Sequence, residues 1–161
     1  MKDYSFAVTV TRDGADWQVR TFRDAFDDPQ VAVDTVLNLR SESASFAMLC
    51  VENEYFVIVR PHPERPRFLL SDATMAVDDD YAADILDELG VDVPNIDPEE
   101  LDDIDGWPDG DFDILEDLGL SEEVLSVLAE DEDAWPVESL MRIAEELGFD
   151  EELADAVGVD L

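Results

Sequence analysis

Basic residues, thiols and long apolar runs are all scarce in this chain. Among 161 residues there are nine basic side chains against 44 acidic ones, with one cysteine, one histidine and one lysine. The single thiol, Cys50, excludes an intrachain disulfide and fits a reducing compartment. The opening "MKDYSFAVTV" lacks an apolar stretch long enough for a signal or a membrane span, so a cytoplasmic protein is expected. A net charge of −35 repels phosphate backbones and anionic lipid, which excludes direct nucleic-acid and membrane binding from the expectations. The same field steers the chain toward basic partners. No G-x-S-x-G elbow and no glycine-rich phosphate loop occur in the sequence.

The charge that is present is unevenly placed. Residues 1–77 carry 8 basic and 12 acidic side chains, a balance of −4, whereas residues 78–161 carry 1 and 32, a balance of −31. A surface acidified only for salt tolerance would be acidic throughout, so the asymmetry points to a specialised C-terminal half. The apolar residues between those acids are periodic, which argues against simple disorder.

The N-terminal half reads as a sheet. "YSFAVTV" and "WQVRTF" alternate around Asp13-Gly14, a hairpin signal, and "SFAMLCV", "YFVIV" and "RFLL" follow as apolar strands. Between them, "DPQVAVDTVLNLRSE" predicts a helix with Pro29 in its first turn and Val33, Val36, Leu37 and Arg40 on one side. A second helix is expected after Asp72 or near Asp79, ending at Leu89. The expected class is α+β: an antiparallel sheet of about five strands with one or two helices over 1–92. An acidic Pro/Gly linker over 93–110 and an acidic helical region over 111–161 follow.

The helical region has a recurring grammar. "ILDELGVD" at 85, "ILEDLGLS" at 114 and "IAEELGFD" at 143 recur every 29 residues. Each reads as a helix closed by glycine, with an apolar residue beyond it and then a new N-cap. This is repeated capping rather than duplication. Leu118, Leu125, Leu128, Leu140, Ile143, Leu147 and Leu153 form apolar stripes that predict a core. The helical region is expected to pack on the sheet, covering Trp107 and Trp135.

Candidate sites are few. "DGWPDGDFDILE", residues 105–116, matches a calcium loop at Asp105, Asp109, Gly110, Asp113 and Glu116, with Phe112 at the apolar position. Trp107 stands where an oxygen ligand is required and Pro108 follows it, so no calcium site is predicted. The expected reading is a turn at Pro108-Asp109-Gly110, then a helix near Phe112 capped by Asp111 or Asp113. His62-Pro63-Glu64 supplies the H-x-E half of a zinc nucleobase deaminase signature, but the P-C-x-x-C half is absent. Cys50 lies in an apolar strand and reads as a core thiol. Ser71-Asp72 reads as a helix cap rather than catalytic machinery. Arg60, Arg65 and Arg67 form the only basic cluster, available to the acidic half or to an acidic partner.

The order of "YFVIVR", "RFLLSDATMA", "YAADIL", "GDFDILEDLGL" and "AWPVESLMRIAEELGFDEEL" resembles the tRNA adenosine deaminase-associated proteins, small acidic proteins of actinobacteria. The resemblance spans nearly the whole chain. It implies association with the deaminase, beside whose gene these proteins are commonly encoded, and it implies no catalytic residues. The expectation is a non-enzymatic accessory protein without cofactor or metal. Its contact surface would be the acids Glu116, Asp117, Glu122, Glu123, Glu145, Glu146, Glu151 and Glu152, presented to a basic face of the deaminase. The alternatives are a stand-alone acidic module or nucleic-acid mimic for another basic protein, and a metal-dependent enzyme using the acidic linker.

Overall fold

The computed structural model describes residues 5–40, 43–131 and 133–158. Among them lie six strands: β1 (Phe6–Asp13), β2 (Asp16–Thr21), β3 (Ser45–Val51), β4 (Tyr55–Arg60), β5 (Arg67–Leu70) and β6 (Asp109–Gly110). Five α-helices accompany them: α1 (Pro29–Asn38), α2 (Asp80–Leu89), α3 (Glu122–Glu130), α4 (Pro136–Leu147) and α5 (Asp150–Val157). The strands form one antiparallel sheet in the order β2-β1-β3-β4-β5-β6. The protein is α+β.

Both faces of this sheet are buried, which is why β3 and β4 read as nearly continuous apolar runs. Ala47, Leu49 and Val51 of β3, with Tyr55, Val57 and Val59 of β4, face a cluster shared with α1 and α2. The alternate residues Phe46, Met48, Cys50, Phe56 and Ile58 face a second cluster with Leu125, Leu140, Ile143, Phe149 and Leu153. Full burial of each large side chain contributes about 1.5–3 kcal/mol, so both layers are held mainly by apolar area. At the sheet margin Trp17 of β2 packs on Phe149, with ring centroids 5.0 Å apart. This contact ties the β2 edge to the α4–α5 corner.

The local signals explain most helix boundaries. Asp28 caps α1 by accepting from the amide of Gln30 at 2.8 Å, ahead of Pro29. Asp79 caps α2 and Ser121 caps α3 in the same way. The three glycine-ended segments close with one geometry. The apolar residue beyond each glycine returns its amide to a carbonyl five residues back: Val91 to Leu86, Leu120 to Leu115, Phe149 to Ala144. A new α-helix follows after the second and third closures but not after the first.

Four expectations need correction. Leu37 of α1 is 57% exposed, because the buried face is formed by Pro29, Ala32, Val33 and Val36. Arg40 lies beyond that helix with φ 49°. The predicted turn at 108–110 is a sixth strand, with Gly110 opposite Leu69 and Asp109 opposite Leu70. The helix expected from Phe112 is a run of turns leading into a 3-10 segment, Glu116–Leu118. Asp111 is diverted from capping, because it binds the amide of Phe68 and the side chain of Arg65.

Candidate functional site

The three arginines of the β4–β5 hairpin are used within the chain. Arg60 donates to both carboxylate oxygens of Asp117, at 2.5 and 2.8 Å, and to the carbonyl of Ile114 at 2.8 Å. Arg65 binds Asp111 at 2.9 Å and Arg67 approaches Asp113 at 3.4 Å. Hydrogen bonding to Arg60 holds the Asp117 carboxyl below the usual carboxylate range. Exposed pairs contribute only about 0.2–1 kcal/mol each, so this ladder sets position more than stability. It fastens the segment after β6 along the hairpin.

That ladder also engages one acid of the calcium-loop match. Asp109 and Gly110 are committed to β6, and Asp113 faces Arg67. Among the described residues, no three histidine, cysteine or acidic side chains converge as metal ligands. His62 sits in an exposed turn, where its Nδ1 accepts from the amide of Glu64 at 3.3 Å. Cys50 is buried, and that burial pushes its thiol up to about 11.

The eight acids singled out in sequence occupy the second layer, but they are not equivalent. Glu122 and Glu123 lie in the first turn of α3, Glu145 and Glu146 near the end of α4, and Glu151 in α5; all five are exposed. Glu116 is also exposed, in the 3-10 segment. Asp117 belongs to the arginine ladder. Glu152 is half-buried, with Oε2 enclosed. Arg142, the one basic residue after position 77, is paired with Asp131 at 2.7 Å.

Sequence reasoning missed how the two halves meet. Glu52 and Asn53, at the tip of the β3–β4 hairpin, both have φ 53°. Asn53 is 2% exposed, and its Oδ1 accepts from the amide of Val137 at 3.1 Å. It thereby caps α4, whose N-cap residue Trp135 and first residue Pro136 provide no side-chain acceptor of their own. Glu138 completes the helix start by accepting from the amide of Trp135 at 3.1 Å.

Beside this junction two clefts of about 320 and 810 Å³ adjoin, sharing Glu54, Asp72, Ile104, Ala134 and Pro136. Gly106 lies against the Asp72 carboxylate so closely that an added Cβ would sit 2.4 Å from it. The carbonyl of Trp107 accepts from the amide of Ala73 at 2.8 Å, which fixes this loop at the cleft wall. Contrary to expectation, Trp107 and Trp135 remain 41% and 45% exposed. Their rings are too peripheral to enter either core.

The fold and its charged groups define an α+β protein whose surface chemistry is dominated by carboxylates. The chain belongs to the family described as Rv3753c-like tRNA adenosine deaminase-associated protein, which matches residues 5–150. It is 42% identical over 153 residues to Protein Rv3753c of Mycobacterium tuberculosis (strain ATCC 25618 / H37Rv), covering 94% of this chain and 87% of that protein. No solved structure matches it. Among the described residues, no helix is long and apolar enough to cross a membrane.

Proposed function

We propose that the protein is a non-enzymatic, cytoplasmic accessory factor that binds a tRNA adenosine deaminase through the acidic face of its helical layer. The family description supports a deaminase as the partner. The observation that carries the surface is the internal use of the cations: Arg60, Arg65, Arg67 and Arg142 are each paired with an aspartate. The exposed acids Glu122, Glu123, Glu145, Glu146 and Glu151 take part in none of these four ion pairs, and they complement a partner that presents cations to tRNA phosphate.

Such complementarity acts mainly on encounter and register, so binding should weaken steeply with salt. Co-purification with the deaminase at low and at high ionic strength tests the reading. Retention at low salt and loss at high salt are expected. Failure to retain the enzyme even at low salt would overturn it.

A further inference from the structure

We propose that the outer edge of β2 pairs with the β2 edge of a second copy of this chain, joining the two sheets across a two-fold axis. The inference is independent of the deaminase reading, and four observations carry it.

The first is an open edge. β2 ends the sheet, with β1 as its neighbour. Just beyond it, Phe22 donates to the carbonyl of Ala7 at 3.1 Å. Antiparallel ladders alternate, so Arg20, Gln18 and Asp16 turn their backbone groups toward β1, and Trp17, Val19 and Thr21 turn theirs outward. Among the described residues, these three outward amides have no other hydrogen-bond partner.

The second is the lack of protection. The opposite edge strand, β6, is two residues long and follows Pro108, which blunts it against further pairing. β2 runs for six residues in register with β1, without proline, lysine or a bulge. On the α1 side, Gln18 and Arg20 border an open cleft of about 360 Å³.

The third is local charge. Residues 6–23 carry 3 basic and 2 acidic side chains, a balance of +1 within a chain of −35. Two copies can therefore meet here without net local repulsion. At physiological salt, charges more than about 8 Å apart are largely screened, so the acidic helical layer opposes the approach only weakly.

The fourth is self-complementarity. Antiparallel pairing centred on Gln18 sets Asp16 opposite Arg20 of the second copy, twice by symmetry, and Trp17 opposite Val19. The outward backbone groups of Trp17 and Val19 then form the hydrogen-bonded pairs. Asp16 and Arg20 fall in the non-hydrogen-bonded pairs, where side chains approach most closely. Both are exposed, and neither takes part in an ion pair among the described residues. A register shifted by two residues either way loses both Asp–Arg pairs.

The test is sedimentation velocity on the full chain at physiological salt, from about 0.01 to about 1 mM. The parent should show a concentration-dependent equilibrium between monomer and dimer. Arg20→Asp alone and Asp16→Arg alone should each weaken dimerisation about tenfold, because two opposed pairs become like-charged. The double variant should return to within about threefold of the parent, since each pair re-forms with its signs exchanged. Both positions are exposed, and far-UV circular dichroism should show all three variants folded. A second measurement reads the register. Gln18→Cys lies opposite its own copy on the axis and should give a disulfide-linked dimer in oxidised glutathione, whereas Asp16→Cys, offset from its copy, should not. The native Cys50 is buried and stays outside this reaction.

A parent that remains monomeric across the range would overturn the inference. So would single-charge variants that dimerise like the parent, a double variant no better than the singles, or equal cross-linking from positions 16 and 18.

Discussion

Replacing Asn53 with alanine removes the side-chain acceptor that the β3–β4 hairpin tip offers to the start of α4. Asn53 and Val137 are both buried, so the amide of Val137 would lose its partner at 3.1 Å inside the fold. An unsatisfied buried donor costs about 1–3 kcal/mol. The left-handed backbone at φ 53°, which Asn tolerates better than Ala, adds about 1 kcal/mol. The expected loss is therefore about 2–4 kcal/mol, or a melting temperature lower by about 4–16 °C for a chain of this size. Asn53→Gly separates the two terms, because glycine accepts the backbone and still lacks the cap. It should lose about 1–3 kcal/mol, less than Ala. Urea unfolding followed by far-UV circular dichroism measures both. A change below about 0.5 kcal/mol for Asn53→Ala would refute the cap as a joint between sheet and helical layer.

Three further outcomes are expected. Gly110→Ala should destabilise by about 2 kcal/mol or more in urea, because φ is 129° and the new Cβ would fall 2.3 Å from the carbonyl oxygen of Phe68. A loss under about 0.5 kcal/mol would show that β6 can yield. The melting temperature at low salt should rise on acidification from neutrality toward about pH 5 and fall below about pH 4. Asp84 is shifted up by burial and then by Asp28, Asp80 and Asp87, so it favours the fold at low pH and that contribution is lost as pH rises through its folded value. Asp117 is shifted down by Arg60, so its contribution is present above about pH 4 and lost as pH falls through its folded value. A maximum at or above pH 7 would contradict this balance. Calcium should give only weak, diffuse heats in calorimetry, and a saturable micromolar site abolished by Glu116→Gln would contradict the reading of the 105–116 loop.

The sheet was legible because its strands alternate or run apolar between turn signals, and the starts of α2 and α3 because Asp79 and Ser121 act locally. Strand β6 was not legible. Two residues carry no period, and "PDG" has the chemistry of a turn until β5 offers it a ladder. Asn53 escaped because its partner lies 84 residues away and nothing around it marks a helix cap. The acids of the outer faces could be named from charge runs alone. Their differences could not, since the pairing of Asp117 with Arg60 and the enclosure of Glu152 are products of tertiary approach. The cleft was hidden for the same reason: Glu54, Asp72 and Asp133 are far apart in sequence and converge only when the helical layer closes on the hairpin tip.

Stopped-flow association with the deaminase at several ionic strengths tests the central claim most directly. The parent is compared with the variant carrying Gln at positions 122, 123, 145 and 146. All four side chains are exposed, so the variant should fold as well as the parent or slightly better as self-repulsion falls. The account predicts an on-rate that falls with salt for the parent, and a slower, less salt-dependent on-rate for the variant. Identical on-rates for the two proteins, with no salt dependence in the parent, would contradict it.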